Sequence, residues 1–285
     1  MEDELKRKKL IKMIIIFTIL FIIINLLIAR FISTKGLVVN EYKIETNKLN
    51  EAYDGLKIIH FSDLHYGSTI HLKELNNVID KINKENPDIV VFTGDLIEKG
   101  VILNEDELND LVNALNSINP KIETLCVKGN HDYDHTYFDD IKEKLNFHVL
   151  DNTYEYVYAN NTQPIVFVGL DDLTSGTPDY DNAFSYLKTD EEEHYTIVLA
   201  HEPDQIDNIS NYNIDLMLSG HSHLGQVRLP LIGAIWTPVG AKKYYDEHYI
   251  IDETNLYISG GIGTSGLKLR YFNKPSINIY RFYTK

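Results

Sequence analysis

The chain holds a single cysteine, Cys126, among 285 residues. One thiol excludes an intrachain disulfide and any cysteine-built zinc cage. Its place in an apolar, β-prone run reads as inert packing rather than as a reactive nucleophile. Positive charge is scarce too: 27 Lys and Arg against 42 Asp and Glu give a formal net charge of -15. Residues 1–12 carry five basic and three acidic side chains, so the remainder stands near -17 (-15 minus +2). Nucleic-acid affinity comes largely from Lys and Arg on phosphates, so no nucleic-acid partner is expected of so acidic a body. Any phosphate handled here needs a local positive centre, and a metal ion is the obvious one. The chain also lacks a Walker-type lysine loop, an internal repeat and a low-complexity stretch. Gly261-Ile262-Gly263-Thr264-Ser265-Gly266 matches a dinucleotide fingerprint. No helical pattern follows it, and the chain ends before an acidic residue could sit about 20 positions on. Ser265 is likewise outside a Gly-x-Ser-x-Gly elbow.

Long apolar runs are limited to one. Met13 to Ala29 has no charged side chain, and Leu10 to Ile32 admits only Lys12 and Arg30. At 1.5 Å per residue the uncharged run spans about 25 Å, and its flanks bring it to a crossing of a roughly 30 Å bilayer core. A cleaved signal peptide is the alternative, but no small-x-small site follows the run. Lys6, Arg7, Lys8, Lys9 and Lys12 precede the span and only Arg30 and Lys35 immediately follow it, which places the N-terminus in the cytoplasm and the body outside. The expected organisation is a cytoplasmic basic tail at 1–12, a single-pass cell-membrane anchor at 13–32, a linker at 33–52 and a catalytic domain at 53–285.

The body is 44% hydrophobic and 24% charged in the whole-chain count, which reads as globular. Apolar runs at Leu56–Phe61, Asp88–Thr93 and Glu123–Val127 alternate with helical patterns, one starting near His71 and stopped by Pro87, the next carrying Leu108, Leu111, Val112 and Leu115. Strands dominate the second half, at Phe147–Leu150, Tyr154–Tyr158, Pro164–Leu170, Thr196–Ala200, Ile214–Leu218, Asn255–Ser259 and Ser276–Tyr283. One α/β domain with two sheets fits this pattern. Core packing is the simpler account of the apolar stretch Leu229–Trp236, with contact to acyl chains or the bilayer as the other.

Metal-ligand chemistry follows each of five apolar strands. These are Asp63-Leu64-His65, Gly94-Asp95, Asn130-His131-Asp132, His201, and Gly220-His221-Ser222-His223. Side chains at i and i+2 of extended chain face the same way, so Asp63/His65 and His221/His223 can each converge. Carboxylate, imidazole and amide oxygen together suit a borderline divalent transition metal, with manganese, zinc or iron as candidates. Asp63, His65, Asp95, Asn130, His201, His221 and His223 are too many for one ion and fit two, bridged by a carboxylate, an arrangement made for displacement at phosphorus. His60, His71, His135, His148, His194 and His248 lack the strand-end pattern and read as structural.

The ordered set Asp63-Leu64-His65, Gly94-Asp95-Leu96-Ile97-Glu98, Gly129-Asn130-His131-Asp132, His201 and Gly220-His221-Ser222-His223 resembles the calcineurin-like metallophosphoesterases over roughly residues 54–283. His201-Glu202-Pro203, Gly225 to Pro230 and Gly261 to Gly266 are similar to a membrane-associated bacterial branch that includes hydrolases of UDP-diacylglucosamine-type lipids. Leu224 and Lys268 depart from that branch, which has Gly and Pro there. The resemblance implies a four-layer sandwich of two mixed β-sheets flanked by helices. It assigns Asp63, His65, Asp95 and His223 to one metal, and Asp95, Asn130, His201 and His221 to the second. His131 becomes the non-ligand imidazole facing the scissile phosphate. Asp132 either orients that imidazole or caps a helix over His135–Leu145. The expected reaction is attack of a metal-activated hydroxide on a phosphoester or pyrophosphate, the substrate being lipid-linked or an envelope metabolite. A phosphodiesterase for soluble nucleotides and a non-catalytic metal-binding scaffold are the alternatives.

Overall fold

The computed structural model describes residues 1–134, 136–159, 163–190 and 192–285, so His135 lies outside the described residues. The chain opens with α1 (Glu2–Phe31), a 30-residue helix long and apolar enough to cross a membrane. The basic tail is its first turns rather than a separate segment, with Lys6 paired to Glu2 and Lys8 to Glu4 one turn apart. After it come β1 (Val38–Thr46), β2 (Lys57–Phe61), α2 (Leu72–Lys84), β3 (Ile89–Phe92), α3 (Glu105–Leu115), β4 (Glu123–Cys126), α4 (Tyr137–Ile141) and β5 (His148–Val149). The second half runs β6 (Thr153–Val157), β7 (Ile165–Gly169), α5 (Tyr180–Ala183), β8 (Tyr195–Leu199), β9 (Leu216–Ser219), β10 (Arg228–Leu229), β11 (Gly233–Ala234), β12 (His248–Ile251), β13 (Thr254–Ile258) and β14 (Ser276–Thr284).

Two six-stranded mixed sheets result, ordered β1-β14-β2-β3-β4-β5 and β12-β13-β9-β8-β7-β6. Strand alternation builds the layers. On β2, Ile58 faces the second sheet, where it joins Val91, Leu125, Phe167, Ile197, Leu199 and Leu218 in a shared core. Its neighbour Ile59 faces outward onto the apolar stripes Leu75, Val78, Ile79 and Ile82 of α2 and Leu111 and Leu115 of α3. The outer face of the second sheet is covered more thinly, by α5 and 3₁₀ turns that carry Phe184, Tyr186, Ile206 and Ile209. The four-layer sandwich expected from the sequence is therefore present.

Because β2, β3 and β4 are parallel neighbours, their carboxyl ends open on one edge, and the parallel β8, β9 and β13 do the same in the second sheet. With the sheets packed face to face, the loops from both edges meet. That crevice is where α/β sheets place ligands.

Three stretches differ from the sequence reading. Residues 33–52 are not merely a spacer, since β1 within them pairs in parallel with β14 over nine register positions. It is an edge strand with a largely solvated face, so its polar alternation looks like linker. β12 is another partly exposed edge strand. Leu229–Trp236 is not core: it forms most of the hairpin β10–β11, whose turn leaves Leu231 fully exposed and Ile232 73% exposed, and Trp236 just beyond β11 is 69% exposed.

Candidate active site

Asp63 and His65 lie just beyond β2, Asp95 beyond β3, and Asn130 to Asp132 in a 3₁₀ turn beyond β4. From the second sheet, His201 follows β8, and His221 and His223 follow β9. Asp63, His65, Asp95, His221 and His223 all have positive φ, between 43° and 63°. The i, i+2 pairs therefore do not converge through extended chain. Tight left-handed turns aim them, a strained conformation that concentrates at functional sites. Asp63, His65 and His223 form one group whose ligand atoms lie within 4.8 Å of one another, and Asp95, His201 and His221 form a second. His65 and Asp95 also group with His131.

The groups share an edge at Asp95. Its Oδ2 is 3.5 Å from His65 Nε2 and 3.2 Å from His201 Nε2. Asp63 Oδ1 lies 3.3 Å from His223 Nε2, and His65 Nε2 is 3.1 Å from His223 Nε2. The imidazoles are fixed from behind: His201 Nδ1 on Thr93 O at 2.6 Å, His221 Nε2 on Val239 O at 2.7 Å, and His65 Nδ1 at 2.7 Å from Glu98 Oε2. Such outer contacts select the tautomer whose other nitrogen faces inward with a free lone pair.

Electrostatics agree with a cation site. Burial raises the Asp63 and Asp95 carboxyls, but the facing imidazoles more than offset it and hold both below the usual range. Burial would make His201 less basic, yet the Asp95 and Asp63 charges lift it well above its ordinary value. Burial pushes His221 and His223 down to about 4, which leaves them neutral, the form that binds metal. Asn130 Oδ1 is buried without a hydrogen-bond partner among the described residues. An orphaned amide oxygen beside this donor set is what a metal ligand looks like before the ion is added, so the residues fit a divalent metal.

His131 accepts the Lys99 N–H at Nδ1, 3.1 Å away, which puts the neutral ring's proton on Nε2, 3.4 Å from Ser265 Oγ at the mouth. Asp132 was open to two jobs, and the geometry gives it a third. Its carboxylate accepts N–H groups from Asp95 (2.9 Å), Leu96 (2.9 Å) and Gly129 (2.8 Å), tying the β3 and β4 loops together. The carboxylates near His131 Nδ1 are Glu98 at 3.9 Å and Asp134 at 4.0 Å. Gly129 is there for space rather than for a turn: its φ is -113°, and a Cβ would fall 2.4 Å from Asp95 Oδ1 and 2.7 Å from Asp95 N.

Sequence reasoning gave no role to Glu98, Ser265 or Arg270. Glu98 was visible as the acidic position of the second motif. Arg270 is fully buried, bonds Gly260 O and Gly263 O, and lies 3.2 Å from His223 Nδ1 through Nη2. The glycine-rich loop it braces folds onto the first motif, with Gly263 N donating to Asp63 O at 2.8 Å and no helix after it, so it is no dinucleotide site. Among the described residues the other histidines are occupied structurally: His60 against Thr93, His194 against Asp190, His248 against Asn255 and His148 beside Glu123, while the His71 backbone N–H meets the Glu74 side chain at the start of α2.

The calcineurin-like phosphoesterase family matches residues 56–225, more than half of the chain and every residue of both groups. The chain is a calcineurin-like phosphoesterase. The phosphoesterase is 33% identical over 255 residues to the uncharacterized metallophosphoesterase YkuE of Bacillus subtilis (strain 168), covering 88% of this chain and 87% of that one. It is 30% identical to phosphodiesterase YaeI of Escherichia coli (strain K12), over 75% of this chain and 77% of that one. A zebrafish (Danio rerio) transmembrane protein with a metallophosphoesterase domain is 27% identical over 90% of this chain, which spans 61% of that longer protein. The crystal structure of the Thermus thermophilus protein TT1561 shares the fold at a TM-score of 0.50 and 13% identity, over 73% of this chain and 90% of that one. The phosphoesterase is thus a hydrolase of a metal-dependent family.

Proposed function

We propose that this phosphoesterase holds two divalent transition-metal ions and hydrolyses a phosphoester or pyrophosphate bond of a lipid-linked or envelope substrate outside the cytoplasmic membrane, where α1 keeps it. The observation that carries the two-ion reading is Asp95 Oδ2, placed between an imidazole of each group at 3.5 and 3.2 Å. Asp63, His65, Asp95 and His223 hold one ion, and Asp95, Asn130, His201 and His221 hold the other; manganese, zinc and iron suit these donors. When bound, the pair supplies a water of lowered pKa and neutralises phosphate oxygens.

His131 faces the substrate rather than an ion. Its Nε2–H points to the mouth beside Ser265, where it donates to the leaving oxygen and holds a proton against the charge developing there. Glu98 and Asp134 lie near the ring's other nitrogen, and burial outweighs the nearby carboxylates and holds the ring below its ordinary basicity. Asp132 is a positioning residue: by gripping the Asp95 and Gly129 N–H groups it fixes Asp95 against the His131 turn.

The anchor supports the lipid-linked part. The basic side chains Lys6, Arg7, Lys8, Lys9 and Lys12 precede the apolar run and favour a body outside, and the zebrafish relative is named a transmembrane protein. The test uses the full chain in detergent, with metal content measured first. Turnover is then compared on monoesters, diesters, soluble nucleotides and extracted lipids, with Asp95→Ala as the blank. Preferred turnover of lipid phosphoesters is expected. A preference for soluble nucleotides would remove the lipid assignment and leave the metal assignment standing.

A further inference from the structure

The rim of the site is apolar where a soluble enzyme's would be polar. Leu231 is fully exposed, Ile232, Trp236, Val239 and Leu267 lie between 69% and 73%, and Phe272 at 63%. Hydrogen bonds tie the chain entering the hairpin to the 267–272 segment. Arg228 N bonds Tyr271 O at 2.9 Å, Tyr271 N bonds Gln226 O at 3.1 Å, and Gln226 Nε2 reaches Leu267 O at 2.9 Å. The hairpin base is also fastened, with Arg228 bonding Leu224 O at 2.7 Å and Asp246 at 2.6 Å. A contiguous exposed apolar patch marks an interaction surface.

What covers it follows from α1. Tyr271 Oη bonds the Asn25 side chain, Arg270 N bonds Ala29 O at 3.0 Å, and Ala29 is the buried residue of the helix. Asn25 lies five residues inside the charged boundary at Arg30, about 7–8 Å along the helix axis. The body therefore grips the anchor within its uncharged run. With that run in hydrocarbon, Tyr271 and its neighbours stand at the depth of the lipid headgroups and upper acyl chains, where Trp and Tyr are enriched. Basic side chains flank these segments, Arg30 at the end of α1 and Lys35 just beyond it, Lys268 within 267–272, Lys274 just after that segment and Lys242 after the hairpin, with Lys242 Nζ 5.2 Å from the centre of the Trp236 ring.

We infer that the β10–β11 hairpin and the 267–272 segment dock into the surface of the same phospholipid bilayer that α1 crosses, and hold the mouth of the active site at headgroup level. This rests on the reading of α1 as a retained anchor and deepens it. The apolar tip enters the interface while Arg228 keeps the hairpin base rigid. Gln226 then links this rim to the chemistry, since it bonds Ser265 N at 3.1 Å and Ser265 faces His131. A substrate phosphate carried by a lipid would reach His131 without leaving the membrane surface.

Trp236 is the chain's single tryptophan, so its emission reports this surface with no engineered probe. The full chain is reconstituted into vesicles of phosphatidylcholine with a minority of phosphatidylglycerol, the acyl chains brominated either near the headgroup or near the methyl end. Loss of Trp236 emission with bromines near the headgroup, a smaller loss with deep bromines, and shielding from aqueous iodide are expected. Leu231→Asp with Ile232→Asp should restore much of the emission and the iodide access, with circular dichroism confirming the fold. Emission indifferent to bromine and open to iodide overturns the inference. So does emission indifferent to both, which would mean that a second copy covers the patch. Bromine quenching unchanged by the double substitution overturns the hairpin's part in docking. None of these readings depends on turnover, so they stand or fall separately from the substrate assignment.

Discussion

The floor of the active site and its rim are built from opposite materials. The floor is polar and buried: Asp63, His65 and His201 are wholly inaccessible, Asp63 and His65 in left-handed turns, with His65 backed by Glu98 at 2.7 Å and His201 by a hydrogen bond to Thr93 O. The rim is apolar and exposed, with Leu231, Ile232 and Trp236 projecting from a two-stranded hairpin. Each inverts the usual rule that apolar groups are inside and charged groups outside. A protein maintains such an inversion only where another component completes the environment. On the readings proposed above, a cation would complete the floor and a bilayer the rim.

The largest effect should come from breaking the floor at its shared ligand. Asp95→Ala removes the carboxylate that lies between an imidazole of each group, so metal content and turnover should both fall to background. Bound metal also stabilises the fold it binds. A chelator should therefore lower the Tm of the wild-type chain and leave that of Asp95→Ala unmoved. An equal chelator shift in both would detach stability from this site.

His131→Ala comes next and separates a ligand from a substrate-facing imidazole. His131 groups spatially with His65 and Asp95, yet its Nδ1 is taken by the Lys99 N–H and its Nε2 faces Ser265. Metal content should persist while turnover falls by about 10²–10⁴, the range for a lost acid–base group. Loss of metal in parallel would make His131 a ligand instead.

Gly129→Ala asks whether the floor tolerates crowding. The new methyl would overlap Asp95 at its backbone N and at Oδ1, and overpacking of this kind costs about 1–3 kcal/mol. A lower Tm with weakened metal retention is expected. A methyl on the rim should do far less, and Ile232→Ala should leave Tm nearly unchanged because Ile232 is 73% exposed.

This contrast explains what could be read in advance. The floor was legible because metal ligation admits few residue types, and the strands that carry them are short apolar runs ending in those residues. Asp63, His65, Asp95, Asn130, His201, His221 and His223 stood out for that reason. Asp132 stood out with them but its job did not, since a carboxylate that binds three backbone N–H groups looks in sequence like any acid near a turn. Arg270 was hidden too, because full burial of an arginine depends on carbonyls of a distant loop. In the fold, central strands were plain and two of the four edge strands, β1 and β12, were not: β1 alternates polar and apolar residues much as a linker does. The rim failed for a deeper reason. Leu229 to Trp236 has the composition of core, and only the tertiary structure decides whether such a run faces protein or solvent.

Leu224 is where floor passes into rim, and there the expected effect is smallest but its sign is diagnostic. It follows His223, lies in the left-handed region at φ 50° and ψ 31°, and is half-buried against the outer core of the second sheet. A side chain in that conformation costs about 1–2 kcal/mol, whereas its partial burial returns part of the roughly 1.5–3 kcal/mol that a fully buried leucine contributes. Leu224→Gly loses the packing and relieves the strain, so its stability should stay within about 1 kcal/mol of wild type. Leu224→Ala loses most of the packing and keeps the strain. The glycine variant should therefore be the more stable of the two in urea or thermal melts, the reverse of the order at an ordinary position, where glycine is worse by about 0.5–1 kcal/mol. If alanine proves more stable, the turn is not held left-handed in solution. The strained backbone that aims His223 into the floor would then need another source.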